Sequence, residues 1–175
     1  MTYAQIMFWR NWNFRQKPSG SWKRALKLPV YLFRMRLGFL MGERLLLLTH
    51  VGRRSGNEYQ TAIEIVEHDK QRGEYMVCSG TGPNADWYQN IRAHPAVRVQ
   101  VGNRSWQPAQ RFLSQQEAAE RFARYEAKHR RMAGVLLRSM GNTYDGTDEG
   151  RVEMMARMPM VGFSSTDIAS SSVDH

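Results

Sequence analysis

The chain of 175 residues is long enough to bury one core, and no internal repeat or long linker divides it. Its one cysteine, Cys78, excludes an internal disulfide and fits a reducing, cytoplasmic compartment; the five histidines show no ligand spacing, so no metal is expected. The net charge of +9 is unevenly placed, with a balance of +10 over residues 1–54 and −1 over the remainder.

The basic third also holds Trp9, Trp12 and Trp22 with Phe8 and Phe14, a mixture that suits a membrane surface or nucleic acid. No helix-turn-helix, RNA-stacking or zinc-finger pattern follows, so no nucleic-acid partner is expected. Met1 to Gln16 can form an amphipathic helix that Lys17-Pro18-Ser19-Gly20 ends. Ser21 then caps a short helix, and Tyr31, Leu32, Met35, Phe39 and Leu40 recur at helical spacing before Gly42. The apolar stretch from Leu28 is cut by Arg34, Arg36 and Glu43, which is too interrupted for a bilayer span, and no signal-peptide cleavage site accompanies it. The expectation is a soluble or peripheral protein.

Leu45 to His50 is a short apolar run and Tyr59 to Val66 a β-rich one, and together they read as a hairpin. Its tip is Gly52-Arg53-Arg54-Ser55-Gly56-Asn57. Two glycines at positive φ would let backbone N–H groups converge on an anion, and two guanidinium groups beside them favour a phosphate. The same residues also read as a solvated turn that keeps the hairpin soluble.

His68 to Gly73 reads as a polar turn and Glu74 to Ser79 as a third strand, followed by the loop Gly80-Thr81-Gly82-Pro83. Asn84 is placed to cap a short helix from Asp86 to Arg92, stopped by Ala93-His94-Pro95. Val97, Val99 and Val101 alternate with Arg98 and Gln100, and Gly102-Asn103 turns this strand into a partner running from Arg104 to Phe112. Ser114-Gln115-Gln116-Glu117 has the capping-box pattern and opens an amphipathic helix to Lys128, which residues 129–140 continue or restart. Residues 141–150 read as a polar loop, and Met158 to Phe163 as a last strand at a sheet edge, where proline is tolerated. The serine-rich tail is expected to be disordered.

These elements describe an α+β protein whose sheet closes into a small barrel. No nucleophile stands beside a base, and Glu64 and Asp86 make no acid–base pair. An anion-binding hairpin with few catalytic side chains fits a protein whose bound cofactor does the chemistry.

The segments LLLTHVGRRSG and SGTGPNADWYQNIRAHPAVRVQVG, in that order and followed by Tyr144-Asp145-Gly146-Thr147-Asp148 and Arg157-Met158-Pro159-Met160-Val161, resemble the deazaflavin-dependent nitroreductase family. These are split-barrel oxidoreductases that use coenzyme F-420. The resemblance implies a six-stranded split β-barrel, related to FMN-binding barrels, over residues 44–164. A basic, aromatic helical segment (1–43) precedes it and a disordered tail (165–175) follows. It implies a reduced deazaflavin passing hydride to a nitro compound, quinone or conjugated alkene, and a homodimer. Carried over by residue, it puts Arg53, Arg54, Ser55 and Gly56 on the cofactor's phosphate and acidic tail. Ser79 and Gly80 would lie beside the ring system, Trp87 and Asn90 would hold the cofactor from the short helix, and Tyr144 is a candidate on the substrate side. The chain departs from the family at Tyr59-Gln60-Thr61-Ala62, where members often carry a basic residue and a Thr-Pro pair. Gly80-Thr81-Gly82 stands where some relatives have a lysine. Two other readings stay open: a barrel holding a fatty acid or other apolar ligand near a membrane, and an FMN-binding reductase.

Overall fold

The computed structural model describes residues 43–139 and 141–165; the helical lead-in and the serine-rich tail from residue 166 lie outside them. The hairpin forms as β1 (Leu45–Val51) and β2 (Glu58–Asp69), in register from Leu45 opposite Glu64 to Val51 opposite Glu58. β2 runs two residues into the expected turn, to Asp69, whose carboxylate accepts from the N–H groups of Gln71 and Arg72 and so closes a shorter turn before β3 (Glu74–Cys78).

The short helix is α1 (Asp86–Ala93), but the expected cap at Asn84 is not made: Ala85 takes the cap position with no side-chain bond. Gln89 instead reaches back to the Pro83 carbonyl at 2.7 Å. β4 (Arg98–Val101) follows, and the single strand expected over 104–112 is broken at Gln107 into β5 (Arg104–Trp106) and β6 (Pro108–Phe112). Pro108 lacks the donor that would carry one ladder across the break.

Ser114 caps α2 (Gln115–Ser139) by accepting from the Glu117 N–H, and the helix kinks at His129. The loop expected over 141–150 is shorter than its sequence implies, because α3 (Asp148–Arg157) starts inside it, capped by the Thr147 hydroxyl on the Gly150 N–H. β7 (Met160–Ser165) is not an edge strand: it pairs with β3 on one side and β6 on the other, and Pro159 sits just before it.

The strand order is β5-β4-β1-β2-β3-β7-β6. Its two ends, β5 and β6, are separated in the chain by Gln107 alone, so the sheet has to curl round until the ends meet. β2 makes the opposite corner. Its first part, to Glu64, pairs with β1, and from Ile65 onward it pairs with β3 across a bulge between Ile65 and Glu67. Counting β5 and β6 as one bent strand gives the six-stranded split barrel; counting them separately gives seven strands.

Period-two alternation sorts the side chains into two cores. Leu46, Leu48, Ile63, Tyr75, Val77, Val99, Val101, Val161 and Phe163 fill the barrel, with Tyr88 and Ile91 of α1 plugging one end. Met76 and Met160, on the opposite face of their strands, pack under Ala118, Phe122, Tyr125, Met154 and Met155 of α2 and α3. Burial of each such large side chain contributes about 1.5–3 kcal/mol. Among the described residues no helix is long and apolar enough to cross a membrane.

Candidate functional site

The interior face of the hairpin runs from core to mouth. Leu46 faces Ile63, Leu48 faces Thr61, and His50 faces Tyr59 across the ladder, so the same alternation that buries the leucines brings His50, Tyr59 and Thr61 to the rim. There α1 closes over the barrel. Tyr88 and Ile91 point inward, and Gln110 of β6 fixes the helix end by donating to the Ile91 carbonyl and accepting from the Ala96 N–H, both at 2.8 Å. Asp86, Trp87 and Asn90 therefore face the hairpin tip. The gap between them is a pocket of about 460 Å³ lined by both elements.

Of the residues singled out in the sequence, Arg53, Arg54, Ser55, Trp87 and Asn90 line this one pocket. Gly56 holds the tip with φ +69°, bonding its N–H to the Gly52 carbonyl. Gly52 is not at positive φ. It is a glycine for another reason: a Cβ there would lie 2.6 Å from both the Ser55 hydroxyl and the Tyr59 ring. The N–H groups of Gly52, Arg53, Gly56 and Asn57 are all satisfied inside the protein, which corrects the expectation of a concave array of free donors at the tip. Those of Arg54 and Ser55 have no acceptor among the described residues.

The two arginines differ in kind. Arg53 is held: its backbone N–H and Nη1 both donate to Asn90 Oδ1, at 3.1 and 2.9 Å, and Nη1 reaches Asp86 at 3.2 Å. Arg54 is exposed and has no partner among the described residues, so its planar fork is available to an anion. Asn90 is buried, and its amide nitrogen meets Nδ1 of buried His50 at 3.0 Å; His50 Nε2 lies 3.2 Å from the Thr61 hydroxyl. Burial pushes the His50 pKa below its ordinary value of 6.5, and the Asp86 carboxylate only partly offsets this. The rim thus carries one neutral imidazole, one arginine partly balanced by Asp86, and one arginine with no counter-charge among the described residues.

Ser79, Gly80 and Tyr144 lie outside the pocket lining. Ser79 is fully buried and donates to the Gly82 carbonyl at 2.6 Å, and the Gly80 carbonyl accepts from Asn142. The Tyr144 hydroxyl donates to Glu126 at 2.6 Å, with the Arg151 guanidinium over its ring. His50, Tyr59, Gln60, Thr61 and Asp86 were not singled out as site residues, though the hairpin register read forward from Leu46 and Leu48 does carry His50 to the mouth. Cys78 donates to the Met158 carbonyl, and burial pushes its thiol up to about 12.

A family model described as F420H(2)-dependent quinone reductase matches residues 35–134. Among solved structures, an F420-H2 dependent reductase is 20% identical, over 70% of this chain and 96% of that one, at a TM-score of 0.47. A structure described as a domain-swapped dimer is 18% identical, over 78% of this chain and 99% of that one, also at 0.47. A conserved hypothetical protein from Mycobacterium tuberculosis is 19% identical, over 77% and 79% of the two chains, at 0.45. Since the family match spans more than half of the chain and contains the hairpin, α1 and every residue lining the pocket, this protein belongs to the F420H(2)-dependent quinone reductase family, an oxidoreductase with coenzyme F-420 as its cofactor.

Proposed function

We propose that the protein reduces a quinone, nitro compound or conjugated alkene, with coenzyme F-420 held at the hairpin tip and over α1. The observation that carries this reading is the Arg54 guanidinium at the rim of the pocket, with no partner among the described residues. The residues fit the cofactor. An acidic, phosphate-bearing tail suits Arg54, the N–H groups of Arg54 and Ser55 that have no acceptor among the described residues, and the positive end of the Arg53–Asp86 pair. A planar ring suits walls made by Trp87 and Tyr59. When bound, the deazaflavin supplies the hydride. The protein's own work is positioning: Asn90 locks Arg53, Arg53 locks the tip against α1, and the tip presents Arg54. No ionisable nucleophile is required.

Ser79 and Gly80 would border the ring through backbone shape, since the Ser79 hydroxyl is committed to Gly82. Tyr144, bound to Glu126, would meet a substrate only if that bond were exchanged. The lining mixes the Trp87 and Tyr59 rings with Arg53, Arg54, Asp86 and Asn90, so the titration below, with a fatty acid as competitor, separates this reading from an apolar-ligand carrier. We propose residues 44–164 as the cofactor-binding unit and a homodimer as its assembly; a monomeric mass in solution would refute the second.

Titrating the protein with oxidised deazaflavin, followed by absorbance, tests the reading. Arg54→Ala and Arg53→Ala are each expected to weaken binding by about 1.5–3 kcal/mol. An unchanged dissociation constant for the double variant refutes the placement, and tighter binding of FMN than of the deazaflavin would reassign the pocket.

We also propose peripheral attachment at the cytoplasmic face of the membrane, from the +10 balance of residues 1–54 and their three tryptophans. The full chain should sediment with anionic vesicles at low salt and be released as salt rises, whereas a chain starting at Ser21 should not sediment. If both stay in the supernatant at every salt concentration, the segment has another role.

A further inference from the structure

We infer that His50 is a positioning residue for this site: the lone pair on its Nδ1 orients the Asn90 amide, which in turn holds the Arg53 tip, so protonation of His50 releases the tip. The inference rests on the cofactor reading above only for its binding readout.

The proton arrangement follows from which groups can donate. The Arg53 N–H and Nη1 are donors only, so the Asn90 atom they share has to be its oxygen. The amide nitrogen then points at His50 Nδ1, 3.0 Å away. An NH2 group cannot accept, so Nδ1 must carry a lone pair and the ring proton sits on Nε2, where it is donated to the Thr61 hydroxyl. Four groups on β1, β2, α1 and the hairpin tip are thereby locked into one donor–acceptor sequence.

A proton on Nδ1 sets two donors against each other. If Asn90 keeps its orientation, the contact with His50 is lost. If the amide turns over, its NH2 faces the two Arg53 donors and both lose their acceptor. His50 and Asn90 are 3% and 4% exposed, so water does not step in readily. The charged and titratable groups around the ring are Arg53 and Arg54 from the tip, Tyr59 from β2 and Asp86 from α1. Asp86 favours the imidazolium, but it is exposed and already paired with Arg53. Burial dominates, and the neutral form is held below the ordinary histidine range.

The test combines the cofactor-free and cofactor-bound protein. In the free protein, nitrogen NMR should place the His50 proton on Nε2 at pH 8, and the Arg53 amide shift should titrate with the His50 ring at one midpoint below 6.5. Deazaflavin affinity should fall roughly fivefold or more through that midpoint, the effect of losing about one hydrogen bond. His50→Gln, whose side-chain oxygen can accept from Asn90, should bind at pH 7 and lose the pH dependence. Asn90→Asp reverses the logic: a carboxylate accepts from Arg53 and from a protonated Nδ1, so the midpoint should move above 6.5 and binding should tighten as pH falls. A proton found on Nδ1, an Arg53 amide indifferent to His50, or an unchanged sign of pH dependence in Asn90→Asp overturns the proposal. If the wild type binds no deazaflavin at any pH, the cofactor reading falls while the NMR measurements still decide the role of His50.

Discussion

Arg111→Met should destabilise the fold without touching the pocket. Glu74 has a side chain 5% exposed, and Arg111 donates Nε and Nη2 to its two oxygens at 2.7 and 2.9 Å while meeting Glu117 through two further bonds of 2.7 Å. The carboxylate occupies a slot that exists because residue 162 is glycine: a Cβ there would stand 2.0 Å from Glu74 Oε1. Methionine preserves the packing of the arginine stem and leaves this buried charge unpaired. Removing one partner of a buried pair costs 3–5 kcal/mol; with Arg111 39% exposed, solvent already screens it, and the low end, about 3 kcal/mol, is expected. For a chain of this size that lowers Tm by about 6–12 °C. Urea unfolding measures the loss directly, and the double variant Glu74→Met/Arg111→Met, which buries no charge, should recover most of it. Neither residue lines the pocket, so deazaflavin affinity should hold. A loss under about 1 kcal/mol for Arg111→Met, or a double variant no better than the single, would refute this account of the pair.

Gly52→Ala should weaken deazaflavin binding more than it lowers Tm, because the new Cβ strikes the Tyr59 ring and the Ser55 hydroxyl at 2.6 Å and splays the tip while leaving both cores intact. Contact with Arg111, then Arg121, pulls the Glu117 carboxyl from its ordinary 4.5 down to about 2. An unfolded chain takes up this proton first, so the contribution is whole above pH 4.5 and is lost as pH falls towards 2; Glu117→Gln should flatten that limb of a urea-midpoint profile. Cys78→Ala should keep turnover, and a thiol reagent at pH 8 should label the native protein far more slowly than the unfolded one, since its thiol is pushed up to about 12.

The hairpin and α1 were legible because their signals are local. A short continuous apolar run marks β1, and the stop at His94-Pro95 ends α1 close to its observed limit. α3 was hidden by Gly146 and Gly150, which read as breakers, although Thr147 followed by Asp148 and Glu149 is a serviceable helix start. β7 reads as an edge strand because Met158-Pro159 looks continuous with it; Pro159 in fact precedes it, and its flanking partners come from distant parts of the chain. The site divides the same way. Two arginines and a serine at a tight turn announce an anion, but the pairing of His50 with Asn90 is set by how α1 docks on the barrel, and no spacing along the chain encodes that.

The closing strand also has consequences for synthesis. β1 meets β2, and β4 meets β5, as soon as each hairpin is made, but β3 and β6 have to wait for β7, with Glu74 seeking Ser164 and Phe112 seeking Val161. Until β7 leaves the ribosome, β3, paired only with β2, and β6, with no strand partner yet, offer open ladders to any neighbouring chain. Truncation before Met160 should therefore yield aggregates rather than a smaller folded protein, and the rate of refolding should be governed by the entropy of bringing that final strand home.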